Sequence, residues 1–347
     1  MRRLEPAVQL LAPLGLIVAT AVIGAGLSAS RQLEFENALV KVAIVIALYV
    51  FIGNSGVISF GQISFVAVGA YVSGILSLDV EQKKVVLPSL YTLLRDHHIG
   101  TDLSLVVAAA GGALYALLVG LPLMRLSGLP AGIATFAVLG ITYNVLYYWE
   151  KVSPAAQRLA SVPEVGTWTV AVGALVSTVV AFLYQRSRAA RQLRATREDP
   201  GAAQASGIDI HRQRLLAFTL SGALAGFAGA LLVHQAGSIA PGDVYLDLTF
   251  LTLAMLVIGG ATSLLGAVVG ALLISGVDSF LGDAENTVHI FGHAFKAHEG
   301  TRLVTLGALM ALVLLFRPSG ITGGREFGLP RRALRRVASA RSDKVAV

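Results

Sequence analysis

The chain contains no cysteine. That excludes a disulfide framework and a thiolate metal site, and it leaves the redox compartment unread. Charge is also scarce. Only 14% of residues are Asp, Glu, Lys or Arg, against 55% hydrophobic residues and a mean hydropathy of +0.73. That balance is too apolar for a soluble domain and fits a multi-span membrane protein. No G-x-x-x-x-G-K-[ST] motif occurs, so any ATP hydrolysis must come from another polypeptide. The apolar runs hold almost no ionisable residues at their centres. Lys41, Asp247, Asp278 and Arg302 fall near the ends of runs. Carriers driven by protons or sodium usually need buried carboxylates, so this scarcity argues against one.

Long apolar runs are present in abundance. They lie at about 9–29, 37–58, 60–78, 103–124, 128–149, 167–184, 214–236, 247–262, 264–281 and 301–316. Each approaches the length needed to cross a hydrocarbon core of roughly 30 Å. The expected fold is all-α, a polytopic transmembrane bundle of about ten spans. The pairs meeting near residues 59 and 263 can instead each be one broken helix. The first run follows Arg2 and Arg3 and reads as a retained span, because no clear cleavage site follows it.

Positive charge sets the expected topology. Segment 185–214 carries seven arginines against Glu198, Asp199 and Asp209. Segment 317–347 carries seven arginines and Lys344 against Glu326 and Asp343. The positive-inside rule places both, with the N-terminus, in the cytosol. Ten crossings satisfy all three placements. The basic excess is therefore topological, with attraction to anionic lipid as a secondary effect, and no nucleic-acid partner is expected. The expected organisation is a permease domain over 1–320, with a cytosolic loop at 185–213, and an Arg-rich disordered tail at 321–347.

Glycine is the next signal. The chain has 37 glycines, concentrated in F-I-G-N-S-G-V-I-S-F-G-Q-I-S-F-V-A-V-G-A-Y at 51–71 and L-V-I-G-G-A-T-S-L-L-G-A-V-V-G-A-L-L at 256–273. The two look like weak copies of each other, as an internal repeat would. Broken helices inside a membrane are tolerated where protein or a water-filled cavity satisfies the backbone, and many transporters build a polar site this way. Asn54, Ser55, Ser59 and Gln62 are the candidate lining of a translocation path. The plainer reading is small-residue packing with a few satisfied hydroxyls.

The polar stretch 197–216, R-E-D-P-G-A-A-Q-A-S-G-I-D-I-H-R-Q-R-L-L, predicts a short capped helix. Asp199 suits the N-cap and Pro200 the first helical position. Gly207 suits a left-handed stop. Such a helix has little to pack on within its own chain. Docking to a soluble protein is one use for it; an ordinary connecting loop is the other reading.

These segments together resemble the permease subunits of ABC importers for branched-chain amino acids, the leucine-isoleucine-valine type, and its M-type permease more than its H-type. Four segments carry the likeness: 53–71, 122–138, 197–229 and 256–271, with L-F-R-P-S-G-I closing at 315–321. The resemblance implies that a cytosolic helix inserts into a groove of an ATPase. The family pattern E-A-A-x-x-x-G falls on Gly201, Ala202, Ala203 and Gly207, with Gly in place of the Glu. Asp199 and Pro200 cap that helix. The implied complex has two ABC ATPase subunits, a second homologous permease and an external substrate-binding protein, in a bacterial inner membrane. No cofactor and no metal is implied.

Other classes compete. The same family serves urea and short amides. An ion-coupled secondary transporter is a separate class, distinguished by uptake that ignores ATP. G-N-S-G at 53–56 matches an intramembrane serine protease motif with Ser55 as nucleophile, but such chemistry needs a base. The only histidine in a predicted span is His234, near an end. His289 and His293 have an i, i+4 spacing that can suit a metal, though with Lys296 and Glu299 beside them they read as loop histidines. Asp96, His97 and His98 also read as a solvated loop.

Overall fold

A computed structural model describes residues 4–323, apart from 287, 291, 292, 296, 297, 299 and 318. Each expected apolar run is helical there over most of its length. In chain order the helices are α1 (Leu4–Ala25), α2 (Ala29–Ser55), α3 (Gln62–Ser77), α4 (Val80–Val86), α5 (Thr92–Arg95), α6 (Thr101–Leu123) and α7 (Leu129–Tyr148). They continue with α8 (Thr167–Arg186), α9 (Arg188–Glu198), α10 (Pro200–Ala205), α11 (Ile210–Ala236), α12 (Leu246–Gly259), α13 (Leu264–Asn286) and α14 (Thr301–Phe316). A 3-10 turn, Pro241–Val244, precedes α12. A small antiparallel hairpin pairs β1 (Val288–Ile290) with β2 (His293–Phe295). The expected disordered tail lies, from residue 324 onward, outside the described residues, as do Lys296 and Glu299.

Among the described residues, seven helices are by length and composition long and apolar enough to cross a membrane: α2, α6, α7, α8, α11, α12 with its preceding turn, and α13. Helices α1, α3 and α14 contribute only shorter apolar stretches. The expected ten full spans are thereby corrected to seven. The cause is local. The run at 60–78 includes Phe60 and Gly61, which lie in a break, and leaves α3 with 16 residues. Those rise about 24 Å, short of a full hydrocarbon core.

Helix α11 is the hub, packed against α2, α3 and α6. Backbone contact makes this possible. A Cβ at Gly69 would stand 2.0 Å from the carbonyl oxygen of Gly226, and one at Gly229 would stand 2.0 Å from that of Val66. Only small residues let helices meet so closely. Phe218 of α11 then fills the centre, with Phe51 at 5.0 Å and Phe65 at 5.1 Å, both edge-on.

The connections sort onto two faces. One collects the end of α2, α9, α10, the turn between α12 and α13, and residues 319–323, where the Thr322 hydroxyl donates to Gly259 O at 2.8 Å. The opposite face gathers 78–100, 149–166 and 237–245, tied by the Leu159–Ile239 bridge and the Arg158–Asp243 ion pair at 3.0 Å. There Lys83 is buried and donates to Leu94 O and His97 O. Burial pulls its pKa below the ordinary lysine value, with Asp79 opposing.

The interior contradicts one expectation. Helix α2 begins at Ala29, well before residue 37, because the polar stretch ahead of the apolar run is also helical. Lys41 therefore sits near the middle of α2, and its Nζ meets Asp278 Oδ2 of α13 at 2.8 Å. Asp278 is buried, and Lys41 is largely so. Glu36 is buried too, accepting from Gln32 and Thr167. The interior does hold ionisable groups, so their scarcity no longer argues against an ion-coupled carrier.

Candidate functional site

Local chemistry builds α10. The Asp199 carboxylate accepts from the backbone N–H of Ala202 at 3.0 Å, satisfying an orphan donor of the first turn. Pro200 takes the first helical position. Gly207 adopts φ +78°, and Ile208 N–H returns to Ala203 O at 3.1 Å, closing the helix as a Schellman-type stop does. Asp209 then caps α11 through Arg212 N–H at 3.0 Å. Pro200, Gly201, Ala202, Gln204, Ala205 and Gly207 are exposed. Ala203 is not: at 5% exposure it is the residue that seats α10 on the bundle. Beside the helix lies a hollow of about 620 Å³ reaching Arg125 and Arg214.

Helix α9 ties this loop to the first glycine-rich segment. Arg194 Nη1 donates to Asn54 Oδ1 at 2.7 Å, and its Nη2 donates to Gln185 O at 2.9 Å. Arg197 Nη1 donates to Gly53 O at 3.1 Å. Both arginines thus land on the last turn of α2, where unpaired carbonyls and the negative end of the helix dipole favour cations. Gly56 follows with φ +70°, and its missing side chain leaves room for the Arg197 stem. One turn back, Gly53 abuts the second glycine-rich segment. A Cβ there would stand 2.5 Å from Ala261 O. Arginine loop, first break and second break form one continuous contact chain.

The four expected path residues lie along that first break, at its junction with α9 rather than midway through a span. Asn54 and Ser55 end α2. Asn54 Nδ2 donates to Val50 O at 3.0 Å, and Ser55 Oγ accepts from Val57 N–H at 3.1 Å. Ser59 is buried in the break, and its hydroxyl has no hydrogen-bond partner among the described residues. Gln62 opens α3. Its Oε1 accepts from Ser221 at 3.1 Å, while its buried Nε2 and the nearby Ser64 hydroxyl are left without partners. Buried polar atoms without partners are costly, and three so close together mark a polar spot in an apolar bundle.

The arginine contacts were beyond the reach of sequence reading, since 140 or more residues separate the partners. The protease arrangement finds no geometry. His234 Nε2 faces Ser73 Oγ at 2.9 Å and Ser104 Oγ at 3.2 Å, and its Nδ1 meets Pro163 O at 2.7 Å. Ser55 takes no part in that cluster. All three of its side chains are fully buried, as core-stabilising polar groups are.

Known proteins match this sequence over much of the chain. The family described as "Branched-chain amino acid transport system / permease component" matches residues 37–314. A probable branched-chain amino acid transport permease protein LivH of Methanocaldococcus jannaschii is 29% identical over 314 residues, covering 83% of this chain and 90% of that protein. The high-affinity branched-chain amino acid transport system permease protein LivM of Escherichia coli is 24% identical over 320 residues, covering 82% of this chain and 68% of its own. An autoinducer 2 import system permease protein LsrC of Enterobacter sp. is 28% identical over 191 residues, with coverage of 51% and 55%. No solved structure matches. With its apolar helices, the chain is a multi-pass membrane protein, and it belongs to the branched-chain amino acid transport permease family.

Proposed function

We propose that this chain is the membrane permease subunit of an ATP-driven, binding-protein-dependent importer of branched-chain or related small amino acids. It works with two ABC ATPase subunits, a second homologous permease and an external binding protein, in a bacterial inner membrane. Its N-terminus, loop 185–213 and tail face the cytosol, an arrangement that needs the shorter apolar helices α1, α3 and α14 to cross the membrane as well. The observation that carries this reading is α10: capped, exposed, made of small residues, and joined through Arg194 and Arg197 to the break after α2.

Small side chains at Gly201, Ala202 and Ala205 let α10 enter a groove in the ATPase, and the surrounding arginines offer charge-assisted contacts to acidic groups there. ATP binding closes the two ATPases and moves α9 and α10 as a unit. The arginines pull the end of α2, and Gly53 passes the displacement to the α12–α13 turn at Ala261. Packed cores switch between discrete arrangements, so a small shift at the loop becomes a change of access. Asn54, Ser55, Ser59 and Gln62 supply the polar lining that this shift opens and closes.

The test is leucine uptake into proteoliposomes holding the full complex, with binding protein outside and ATP inside. Uptake should vanish when the ATPases are inactivated. Ala202→Trp and Ala205→Trp, which enlarge exposed positions, should abolish uptake and leave the melting temperature unchanged. Normal import by both variants would remove α10 from the coupling role. Ala203 and Gly207 are unsuitable positions, one buried and the other left-handed.

A further inference from the structure

The Lys41–Asp278 pair lines a partly open cavity of about 470 Å³ between α2, the Pro241–Val244 turn, α12, α13 and α14. Its volume is within the ~300–1,000 Å³ of small-molecule sites. The walls divide by chemistry. Leu251, Ala254 and Met310 make an apolar wall, and Lys41, Asp278, Asp247 and Asp243 supply the charge, Asp243 being already paired with Arg158. Lys41 is the cavity's one cation among the described residues lining it. Asp247 lies in the first turn of α12, a helix of only 14 residues that starts at the cavity.

Stability does not explain this pair. Charges within a membrane protein are expensive and tend to mark function. A buried ion pair is often no better for stability than apolar residues of the same volume. What the pair does provide is a place where opposite charges can change partners. A ligand carboxylate can take Lys41 while the ligand's ammonium takes Asp278 or Asp247, and no buried charge is left uncompensated. An uncharged ligand such as urea offers no such exchange and would have to part the pair without replacing either charge.

On these grounds we infer that this cavity is a binding site for zwitterionic α-amino acids with an aliphatic side chain: Lys41 receives the carboxylate, Asp278 and Asp247 the ammonium, and the Leu251–Met310 side the hydrocarbon. This rests on the importer reading for its transport role, but binding at the cavity can be measured without transport.

The absence of cysteine makes the measurement clean. Met310→Cys in the full reconstituted complex introduces a single thiol into this chain at the cavity wall, to be followed by maleimide labelling. Saturating leucine should slow labelling about tenfold when it exceeds its dissociation constant by that factor. Urea at the same concentration should not. Adding Lys41→Met with Asp278→Leu removes both charges together; protection and leucine uptake should then be lost. If that background fails to fold, the charge swap Lys41→Asp with Asp278→Lys replaces it, and its unequal side-chain lengths should weaken protection. No protection in the Met310→Cys complex, or equal protection by urea, overturns the site. So does unchanged protection in the neutralised complex. Protection without uptake would keep the site and overturn the importer reading; uptake without protection would do the reverse.

Discussion

The two glycine-rich segments have similar composition and opposite outcomes. At 51–71 the chain leaves helix between Gly56 and Gly61, and α3 departs from α2 with little contact between them. At 256–273 it turns at once, and α13 packs back along α12. Glycine placement explains the difference. A Cβ at Gly259 would stand 2.0 Å from Gly266 O, and one at Gly270 would stand 2.1 Å from Met255 O. In the second segment the glycines face each other across the turn. In the first, Gly69 faces Gly226 of α11 instead, so α3 is drawn away from α2 and the break stays open. The expected repeat is one of residue types. It does not extend to geometry.

The largest effect should come from closing the space inside the tight turn. Gly259→Leu places a side chain against backbone that cannot yield, at a cost of about 3 kcal/mol or more. The purified protein should melt far below wild type or fail to accumulate. Gly140→Leu, where a Cβ meets nothing within 4 Å, should melt as wild type does. Equal melting of the two variants would mean that α12 and α13 do not pack as described.

A smaller effect is expected at the open break. Arg194→Ala with Arg197→Ala removes the donors to Asn54 and Gly53 O. Each lost charged contact should cost roughly 1–3 kcal/mol. Melting should fall modestly while import falls by more than the stability loss accounts for, with basal ATPase activity intact. Import at the wild-type rate would break the proposed link between α9 and the first segment.

The smallest effect separates path from packing. Gln62→Leu removes the unpartnered Nε2, and Ser221 keeps Ala47 O at 2.6 Å as an acceptor. Stability should stay within about 1 kcal/mol of wild type. Import should drop if the break lines the path and hold if Gln62 only packs. The pair of readouts, calorimetry and uptake, tells the two apart.

Much of the loop was legible because its causes are local. Asp199, Pro200 and Gly207 act within a few residues of themselves, through a cap, a fixed φ and a left-handed stop. That Ala203 is the buried residue of α10 was not legible, since nothing in the stretch says which side of a six-residue helix meets the bundle. Lys41 was misplaced for a related reason. Hydropathy starts a helix where apolar residues start, but α2 runs back through Gln32 and Glu36, whose side chains find partners on each other and on Thr167.

The sequence by itself determined the class: lipid offers no partner for unpaired backbone, and long unbroken apolar runs, unlike the alternating strands of a barrel, satisfy that demand as helices. Glycine content alone also promised close helix contacts. Which glycines meet, and so which break opens and which closes, was decided only in three dimensions. The same holds for the ion pair of Lys41 and Asp278, 237 residues apart. Burial and pairing over such distances depend on how α2, α11 and α13 stack. No local pattern records that, because the energy of each contact depends on the neighbour that tertiary packing supplies.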